Sequence, residues 1–144
     1  MNETSLTIET VHEIRDDCLC FASQRAARRL ARRFDRVFSP LGLTNGQFSM
    51  LVPLIGPWRP RLGELAEFLA MDAATMTAAV KTLKKRGLVA LLADEGDARA
   101  RRPVLTQAGR ELMAQAVPLW RKEHAAVQEA APGVKASTLD QLGR

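Results

Sequence analysis

Residues 62–89 read LGELAEFLAMDAATMTAAVKTLKKRGLV and residues 90–109 continue as ALLADEGDARARRPVLTQAG, and this stretch decides the fold. Apolar residues recur at helical spacing in two short segments, which a turn at Met71-Asp72 separates. A charged loop then lies between two short apolar runs, a pattern typical of a small hairpin. Two helices followed by a hairpin indicate a winged helix-turn-helix. Such a unit holds duplex DNA with a helix in the major groove and a cationic hairpin beside it.

A long amphipathic helix is predicted before this unit. Apolar residues recur every three or four positions from Phe21 to Leu41, and arginines occupy much of the remaining circumference. Ser39-Pro40 ends the helix. We expect its arginine face to be solvated surface, with contact to phosphate or to an acidic ligand as the alternative. Residues 1–14 have weak periodicity and are expected to form an arm or a short helix against a partner.

Capping signals place the other helices. Thr44 and Gln47 match a capping box, which starts one helix, and Asp72 caps a later helix that Gly87 ends. Thr106 opens a long final helix with a proline inside it, where we expect a bend, and a short terminal helix follows. The residues expected to face inward in the two short helices are Phe48, Leu51, Val52, Ile55, Leu65, Phe68 and Leu69.

Length and composition suit one folded domain. The chain has 144 residues, of which 47% are apolar and 26% are charged, as in an ordinary globular protein. A formal net charge of +5 favours an anionic partner. No apolar run approaches the roughly 18 residues that span a bilayer, and the first residues are acidic, unlike a signal peptide. We therefore expect a cytoplasmic protein with no membrane partner.

The second helix of the unit carries a candidate base-contacting face. Polar residues and small alanines lie opposite the side that Met76, Val80 and Leu83 are expected to bury. Threonine can hydrogen-bond a base edge or contact a thymine methyl group, but this face has no Arg, Asn or Gln for bidentate base contact. A purely structural helix pair is the alternative. The candidate DNA contacts on this helix are Thr75, Thr77, Lys81 and Lys84.

The loop of the hairpin is the stronger signal for DNA. Arg99, Arg101 and Arg102 lie on or beside a tight loop, from which their side chains are expected to project. Asp97 is placed to hold the Arg99 guanidinium by a charge-assisted hydrogen bond, and an oriented arginine suits a narrow minor groove. A charged hairpin exposed to solvent is the alternative. The two strands are placed at residues 88–92 and 102–105.

The two cysteines, Cys18 and Cys20, lie in a segment predicted to be helical. Residues two apart on a helix point about 200° apart around its axis, so these thiols should not bridge easily. No metal site is predicted, because His12 and His124 are not at a ligand spacing to this pair. We expect small buried or half-buried side chains, with a redox or thiophilic-ligand role as the alternative.

These motifs resemble the regulators of the multiple antibiotic resistance (MarR) family. The segment DARARRPVLTQAGREL is the most specific, because it joins a D-x-R wing to the L-T-x-x-G start of a helix. The resemblance covers about residues 17–130. The similar segments are PLGLTNGQFSML at 40–51, LGELAEFLAMD at 62–72, LKKRGLV at 83–89 and DARARRPVLTQAGREL at 97–112.

The resemblance implies a mainly α fold with a two-stranded β wing and a homodimer. Two winged helices would face double-stranded DNA at a pseudo-palindromic operator, and a small ligand or an oxidant would relieve repression. The implied organisation is a single domain over residues 1–144, with a winged helix at about 44–106 between dimerisation helices at about 10–40 and 107–144.

The resemblance also implies roles for residues of the DNA-binding unit. In the family pattern the wing arginine, here Arg99, enters the minor groove, and the aspartate, here Asp97, steadies it. The second helix of the unit, which is the recognition helix in the family pattern, departs from that pattern. Ala73 and Ala78 stand where related chains often carry arginine.

Two kinds of sensing follow from the resemblance. The LCFA segment at 19–22 is similar to the peroxide-sensing branch, which implies Cys20 as the reactive cysteine, with Cys18 beside it. That branch uses tyrosine hydroxyls near the thiol, and this chain has no tyrosine. The resemblance to family members that respond to ligands implies instead a pocket for a phenolic or other aromatic effector. The candidate lining residues, each with plain packing as the alternative, are Phe21, Trp58, Trp120 and His124.

Two other functions are weighed against a DNA-binding regulator. No enzyme is expected, because the sequence offers no set of catalytic residues, no glycine-rich phosphate loop and no metal-ligand cluster, and it implies no cofactor. A winged helix that binds protein instead of DNA is the other alternative, which the alanine-rich recognition face permits.

Overall fold

The structure, a computed structural model, describes residues 6–144 and confirms a mainly α fold with a two-stranded wing. Short 3-10 helices lie at Ser39–Leu41 and Val52–Leu54. The other elements in chain order are α1 (Ile8–Asp17), α2 (Leu19–Phe38), α3 (Asn45–Leu51), α4 (Leu62–Phe68), α5 (Ala73–Lys85), β1 (Val89–Ala93), β2 (Arg101–Leu105), α6 (Gln107–Ala130) and α7 (Ala136–Leu139).

The sequence pattern predicted a helix that runs through Cys18, but in the structure the helix is interrupted there. Cys18 has extended backbone angles and separates α1 from α2. Its Sγ accepts a hydrogen bond from the Phe21 N–H at 3.4 Å, so the thiol caps the start of α2. Sulfur is a weak acceptor and cysteine is not among the usual N-cap residues, so no capping signal indicated the break.

The capping box of α3 is confirmed. Thr44 Oγ1 accepts from the Gln47 N–H at 3.1 Å, and Gln47 Oε1 accepts from the Thr44 N–H at 3.1 Å. The helix nevertheless ends at Leu51, because Pro53 has no N–H to continue it.

This early end turns the following side chains outward. A tighter 3-10 turn replaces the last part of the expected helix, and the prediction that Val52 and Ile55 face inward was wrong. Each of these two side chains is 41% exposed, whereas Leu54 is buried. Phe68 was also expected to be buried but is 65% exposed, with its ring edge-on to Trp58 at 5.3 Å between centroids.

The core joins the helix-turn-helix to the long helices. Phe38 of α2 stacks on Phe48 of α3 with ring centroids 4.5 Å apart. The predicted inner face of α5 is confirmed, since all three of its expected apolar residues are buried. The main core residues are Phe34, Phe38, Phe48, Leu51, Leu65, Met76, Val80, Leu83, Met113 and Ala116.

Helix α6 begins and ends close to its predicted limits. Thr106 Oγ1 accepts from the Gly109 N–H and caps the helix, which continues past Pro118 to Ala130. The terminal helix is shorter than predicted and covers only Ala136–Leu139. In the described part of the chain, no helix combines the length and apolar character that a bilayer crossing needs.

The junction between the hairpin and α6 is unusually close. Thr106 donates its hydroxyl proton to the Gly87 carbonyl at 2.6 Å and its N–H to the Leu88 carbonyl at 3.1 Å. A Cβ added at Gly109 would lie only 2.2 Å from the Leu88 carbonyl oxygen. The L-T-x-x-G motif therefore allows α6 to start directly against the backbone that leads into β1.

A buried carboxylate ties the hairpin to α4. The Asp94 side chain is only 5% exposed and accepts from Arg61 Nη2 at 2.8 Å and from Arg102 Nε at 2.6 Å. It also accepts from the Gly96 N–H at 3.1 Å. Arg61 precedes α4 and Arg102 lies on β2, so one carboxylate joins the two parts of the winged helix.

Substitution of Gly109 by Ala should destabilise the fold, because the new methyl group meets backbone that cannot rotate away. Overpacking of this kind costs about 1–3 kcal/mol, to be measured by urea unfolding. Gly63→Ala is the matched control, since a Cβ at that helical position meets no atom within 4 Å. The control should gain about 0.5–1 kcal/mol. Equal gains in both variants would contradict the close approach.

Asp94→Asn should lower stability in a manner that depends on pH. The hydrogen bond from Arg102 is the main reason why the Asp94 pKa lies below its usual 3.8; burial opposes the shift, and the charges of Arg102 and Arg61 add to it. Because the folded-state pKa is lowered, the carboxylate stabilises the protein above the unfolded-state pKa and loses this effect as pH falls through the folded-state value.

We expect wild type to be more stable than D94N at neutral pH, with the difference shrinking below about pH 4. Urea unfolding at a series of pH values measures this difference. Asp140→Asn, at an exposed position, should show no comparable gap at neutral pH. A D94N deficit that stays constant into strong acid would argue against a charge-based role.

Candidate nucleic-acid interface

The outer face of α5 presents the predicted DNA-contacting residues together. Thr75, Thr77, Lys81 and Lys84 are all exposed, and the core covers the opposite side of the helix. Between them lie exposed alanines, so the backbone of α5 is accessible to a close partner. This arrangement can enter a major groove.

The two threonines are oriented by bonds within their own helix. Thr75 donates its hydroxyl proton to Asp72 Oδ2 at 2.7 Å, and Thr77 donates its proton to the Ala73 carbonyl at 2.9 Å. Because each hydroxyl proton is used within the helix, each exposed threonine offers its oxygen as an acceptor, together with its methyl group. In a major groove such groups match the amino groups of adenine or cytosine and the methyl of thymine.

The end of α5 is cationic and tied to α3. Lys81, Lys84 and Lys85 are exposed. Arg86 donates from Nη1 to Gln47 Oε1 at 3.1 Å, and the same Gln47 completes the capping box of α3. This bond fixes the two helices of the unit relative to each other, and the free lysines can approach a phosphate backbone.

The tip of the wing is shaped by its own side chains, and it corrects the predicted role of Asp97. Asp97 Oδ1 accepts from the backbone N–H of Arg99 at 2.9 Å, not from the Arg99 guanidinium as expected. An aspartate in a tight loop readily closes a turn onto the N–H two residues on, and here this local bond is the one that forms. Asp97 therefore shapes the loop that carries Arg99.

The three wing arginines differ in the hydrogen bonds that their guanidinium groups form within the protein. Arg101 donates from Nη1 to the carbonyls of Ala98 at 2.7 Å and Ala100 at 3.0 Å, so it braces the loop while staying exposed. Arg102 does not project as predicted, because Asp94 holds its half-buried side chain. Within residues 6–144, no protein group accepts a hydrogen bond from the exposed Arg99 guanidinium. Arg99 is thus available to a partner.

Asp94 and Arg61 are the residues that the sequence analysis did not identify. Asp94 lies three positions before Asp97, in the charged loop that follows the strand predicted at 88–92, and nothing local marks it as buried. Its partner Arg61 is 33 positions away. Only the fold brings these groups together.

An apolar cleft of about 420 Å³ lies between α3, the turn after it and α6. Of the four predicted pocket residues, only Trp120 lines it. His124 stacks on Trp120 at 4.8 Å, and Trp58 contacts the lining residue Phe68. Phe21 lies on α2 beneath the Arg25 guanidinium and does not line this cleft. The lining residues are Phe48, Ser49, Val52, Pro53, Ile55, Phe68, Leu69, Val117, Trp120 and Arg121.

The two thiols are free and differ in exposure. Cys18 is half-buried as the cap of α2, as expected. The same expectation was wrong for Cys20, which is exposed because it lies on the outer side of the first turn of that helix. Cys20 Sγ accepts from Gln24 Nε2 at 3.0 Å. The prediction that both cysteines lie within one helix was wrong, because Cys18 lies between α1 and α2.

Comparison with known proteins relates this geometry to a family. A model of the MarR family matches residues 56–100, which include α4, α5 and β1. The chain is 36% identical to the M. tuberculosis transcriptional regulator MosR, solved in complex with DNA, with 88% of this chain and 91% of that chain covered and a TM-score of 0.77.

A second relative is the transcriptional repressor CouR of Rhodococcus jostii RHA1. Its structure on a 23-mer DNA duplex is 27% identical, covers 89% of this chain and 88% of that chain, and has a TM-score of 0.73. Its complex with p-coumaroyl-CoA is 26% identical, covers 88% and 86%, and has a TM-score of 0.72. Comparison with curated proteins gave no match. The fold, the matched segment and the identity to MosR together show that the chain belongs to the MarR family of transcriptional regulators.

Proposed function

We propose that the protein is a homodimeric repressor that binds a pseudo-palindromic operator and leaves it when a small aromatic ligand binds. The observation that carries this proposal is the exposed Arg99, whose guanidinium has no protein acceptor within residues 6–144 and stands on a loop that other side chains brace. An arginine held out on a fixed loop suits the negative potential of a narrow minor groove. The operator lies on chromosomal DNA, so the protein acts in the cytoplasm.

The recognition helix and the wing would contact different parts of the DNA. Helix α5 would enter the major groove with Thr75 and Thr77, while Lys81 and Lys84 contact phosphates. Because this helix offers few groups for base contact, sequence preference would also depend on groove shape at the wing. MosR and CouR, which share this fold, were each solved in complex with DNA, and this supports duplex DNA as the partner of this surface.

A second copy of the chain would cover the exposed apolar side chains of the N-terminal helices. Ile8, Val11 and Ile14 on α1 and Leu19 on α2 are each at least half exposed. Such a row of apolar side chains favours burial against a partner. A twofold dimer through these helices would present two winged helices to two half-sites.

Replacement of Arg99 by Ala should weaken operator binding about 100-fold, because each protomer loses charge-assisted contacts in the minor groove. Operator fragments selected from genomic DNA serve as the ligand, and the Kd is measured across a range of salt concentrations. Light scattering of the wild-type complex should give two chains per operator. Circular dichroism checks that the variant remains folded.

Arg29→Ala is the matched control, an exposed arginine on α2 outside the winged helix, and should bind almost as wild type does. Equal affinity of the Arg99 and Arg29 variants would overturn the role of the wing. If wild type itself shows no salt-dependent retention of DNA, the winged helix serves protein interaction instead.

The effector would occupy the cleft beside Trp120. Its wall is mostly apolar, and Arg121 supplies a cation at the rim. A flat aromatic ring suits such a wall, and a carboxylate or phenolate suits the arginine. The binding of p-coumaroyl-CoA by CouR supports an aromatic effector of this kind.

A thiol-based switch is the second candidate, and the exposure of Cys20 favours it. This thiol lies in the first turn of α2, two positions after Cys18, which caps the helix. Oxidation there would disturb the N-terminal helices through which we expect dimerisation.

The two modes of release can be separated with defined probes. p-Coumarate and p-coumaroyl-CoA should release the operator from wild type, and Arg121→Ala should need about 10-fold more probe, because one charge-assisted contact is lost. Lys122→Ala, the next exposed cation on α6, is the control. Release by peroxide that Cys20→Ser abolishes, with no response to either aromatic probe, would support the thiol switch and contradict the aromatic effector.

A further inference from the structure

We propose that Asp94 is the positioning residue of the wing, which sets the Arg99 loop at a fixed place relative to α5. This inference rests on the proposed DNA-binding function. The carboxylate forms no hydrogen bond or ion pair with the candidate DNA-contacting side chains, and it acts through Arg61, Arg102 and the Gly96 N–H.

Asp94 holds the base of the wing loop from both sides. It directly follows β1, and its partner Arg102 lies on β2. Arg102 donates from Nε to Asp94 Oδ1 at 2.6 Å, and its Nη2 forms an ion pair with the same oxygen at 2.6 Å. The Asp94 Oδ2 atom accepts from the Gly96 N–H. The backbone also pairs here, with the Asp94 N–H donating to the Ala100 carbonyl at 3.2 Å. The loop from 95 to 100 is therefore closed at a defined width.

The same carboxylate fastens the wing to the helix-turn-helix. Arg61 reaches Asp94 from the residue before α4, and its backbone N–H donates to Glu64 Oε1 at 2.8 Å inside that helix. Arg102 Nη1 donates in turn to the Arg59 carbonyl. Because α4 leads through one short turn into α5, these bonds relate the wing to the recognition helix.

This connection is needed because the wing is a two-stranded hairpin. Such a hairpin is only marginally stable by itself, so its direction depends on what its base contacts. Without the carboxylate, Arg61 and Arg102 would be two neighbouring cations that repel each other at that base. A loosened wing would have to be ordered on binding, which weakens affinity for DNA.

The arrangement also assigns Arg102 a role different from that of Arg99. Its guanidinium donors are used by Asp94 and by the Arg59 carbonyl, and Glu64 lies 3.9 Å away. Arg102 is therefore part of the support of the wing, whereas Arg99 makes the contact.

A double-mutant cycle on operator binding tests this inference. Asp94→Asn should raise the Kd about 10-fold. The double variant D94N/R99A should bind as weakly as R99A alone, because Asp94 acts through the wing contact that R99A has already removed. A merely destabilised protein would instead show the two losses multiplied. Measurements are made well below the melting temperature, with folding checked by circular dichroism.

Glu123→Gln is the matched control, because Glu123 forms an ion pair with Arg33 between α6 and α2, outside the wing. It should leave the Kd unchanged, alone and together with R99A. If D94N does not fold, Arg61→Gln removes one support of the wing and should show the same lack of additivity with R99A. Full additivity, or a D94N affinity equal to that of wild type, overturns the inference. Failure of R99A itself to weaken binding would overturn the proposed function instead.

Discussion

The winged helix depends on one buried carboxylate, that of Asp94, which lies between the guanidinium groups of Arg61 and Arg102. A buried charge is tolerated only when it is paired and hydrogen-bonded. Here the partners come from the wing, at Arg102 and Gly96, and from the residue before α4, at Arg61. The ion pairs therefore stabilise the unit and define its geometry at once. The Arg99 loop on one side and the recognition helix on the other take their relative positions from this cluster.

The sequence was sufficient for elements whose signals are local. Thr44 with Gln47, Asp72 and Thr106 were predicted as caps and each accepts the expected backbone N–H, because a cap involves residues only three positions apart. Gly109 explains the glycine of the L-T-x-x-G motif, because the absence of a side chain leaves room for the Leu88 carbonyl. The exposure of the candidate threonines and lysines of α5 was likewise predictable, since helical periodicity assigns the face opposite the core.

The sequence was insufficient wherever a distant partner or an unusual cap decided the outcome. Asp97 and Asp94 are both aspartates near arginines, and only the approach of Arg61 from 33 positions away shows which of them pairs with guanidinium groups. Cys18 caps the start of α2 through a weak sulfur acceptor, which no capping rule would select. Phe68 lies at a position whose helical spacing predicts burial, but it is exposed. It contacts Trp58 and lines the cleft, and helical spacing alone does not predict a cleft.

Helix α5 and the wing are proposed to contact DNA together, in adjacent grooves. Footprinting of the wild-type operator complex with hydroxyl radicals and with guanine methylation detects both contacts in one experiment. We expect protected guanine N7 positions in two major-groove half-sites, each flanked on its outer side by protection of the neighbouring minor groove. Protection confined to the major groove, with the flanking minor grooves fully reactive, would show that the wing does not enter the minor groove.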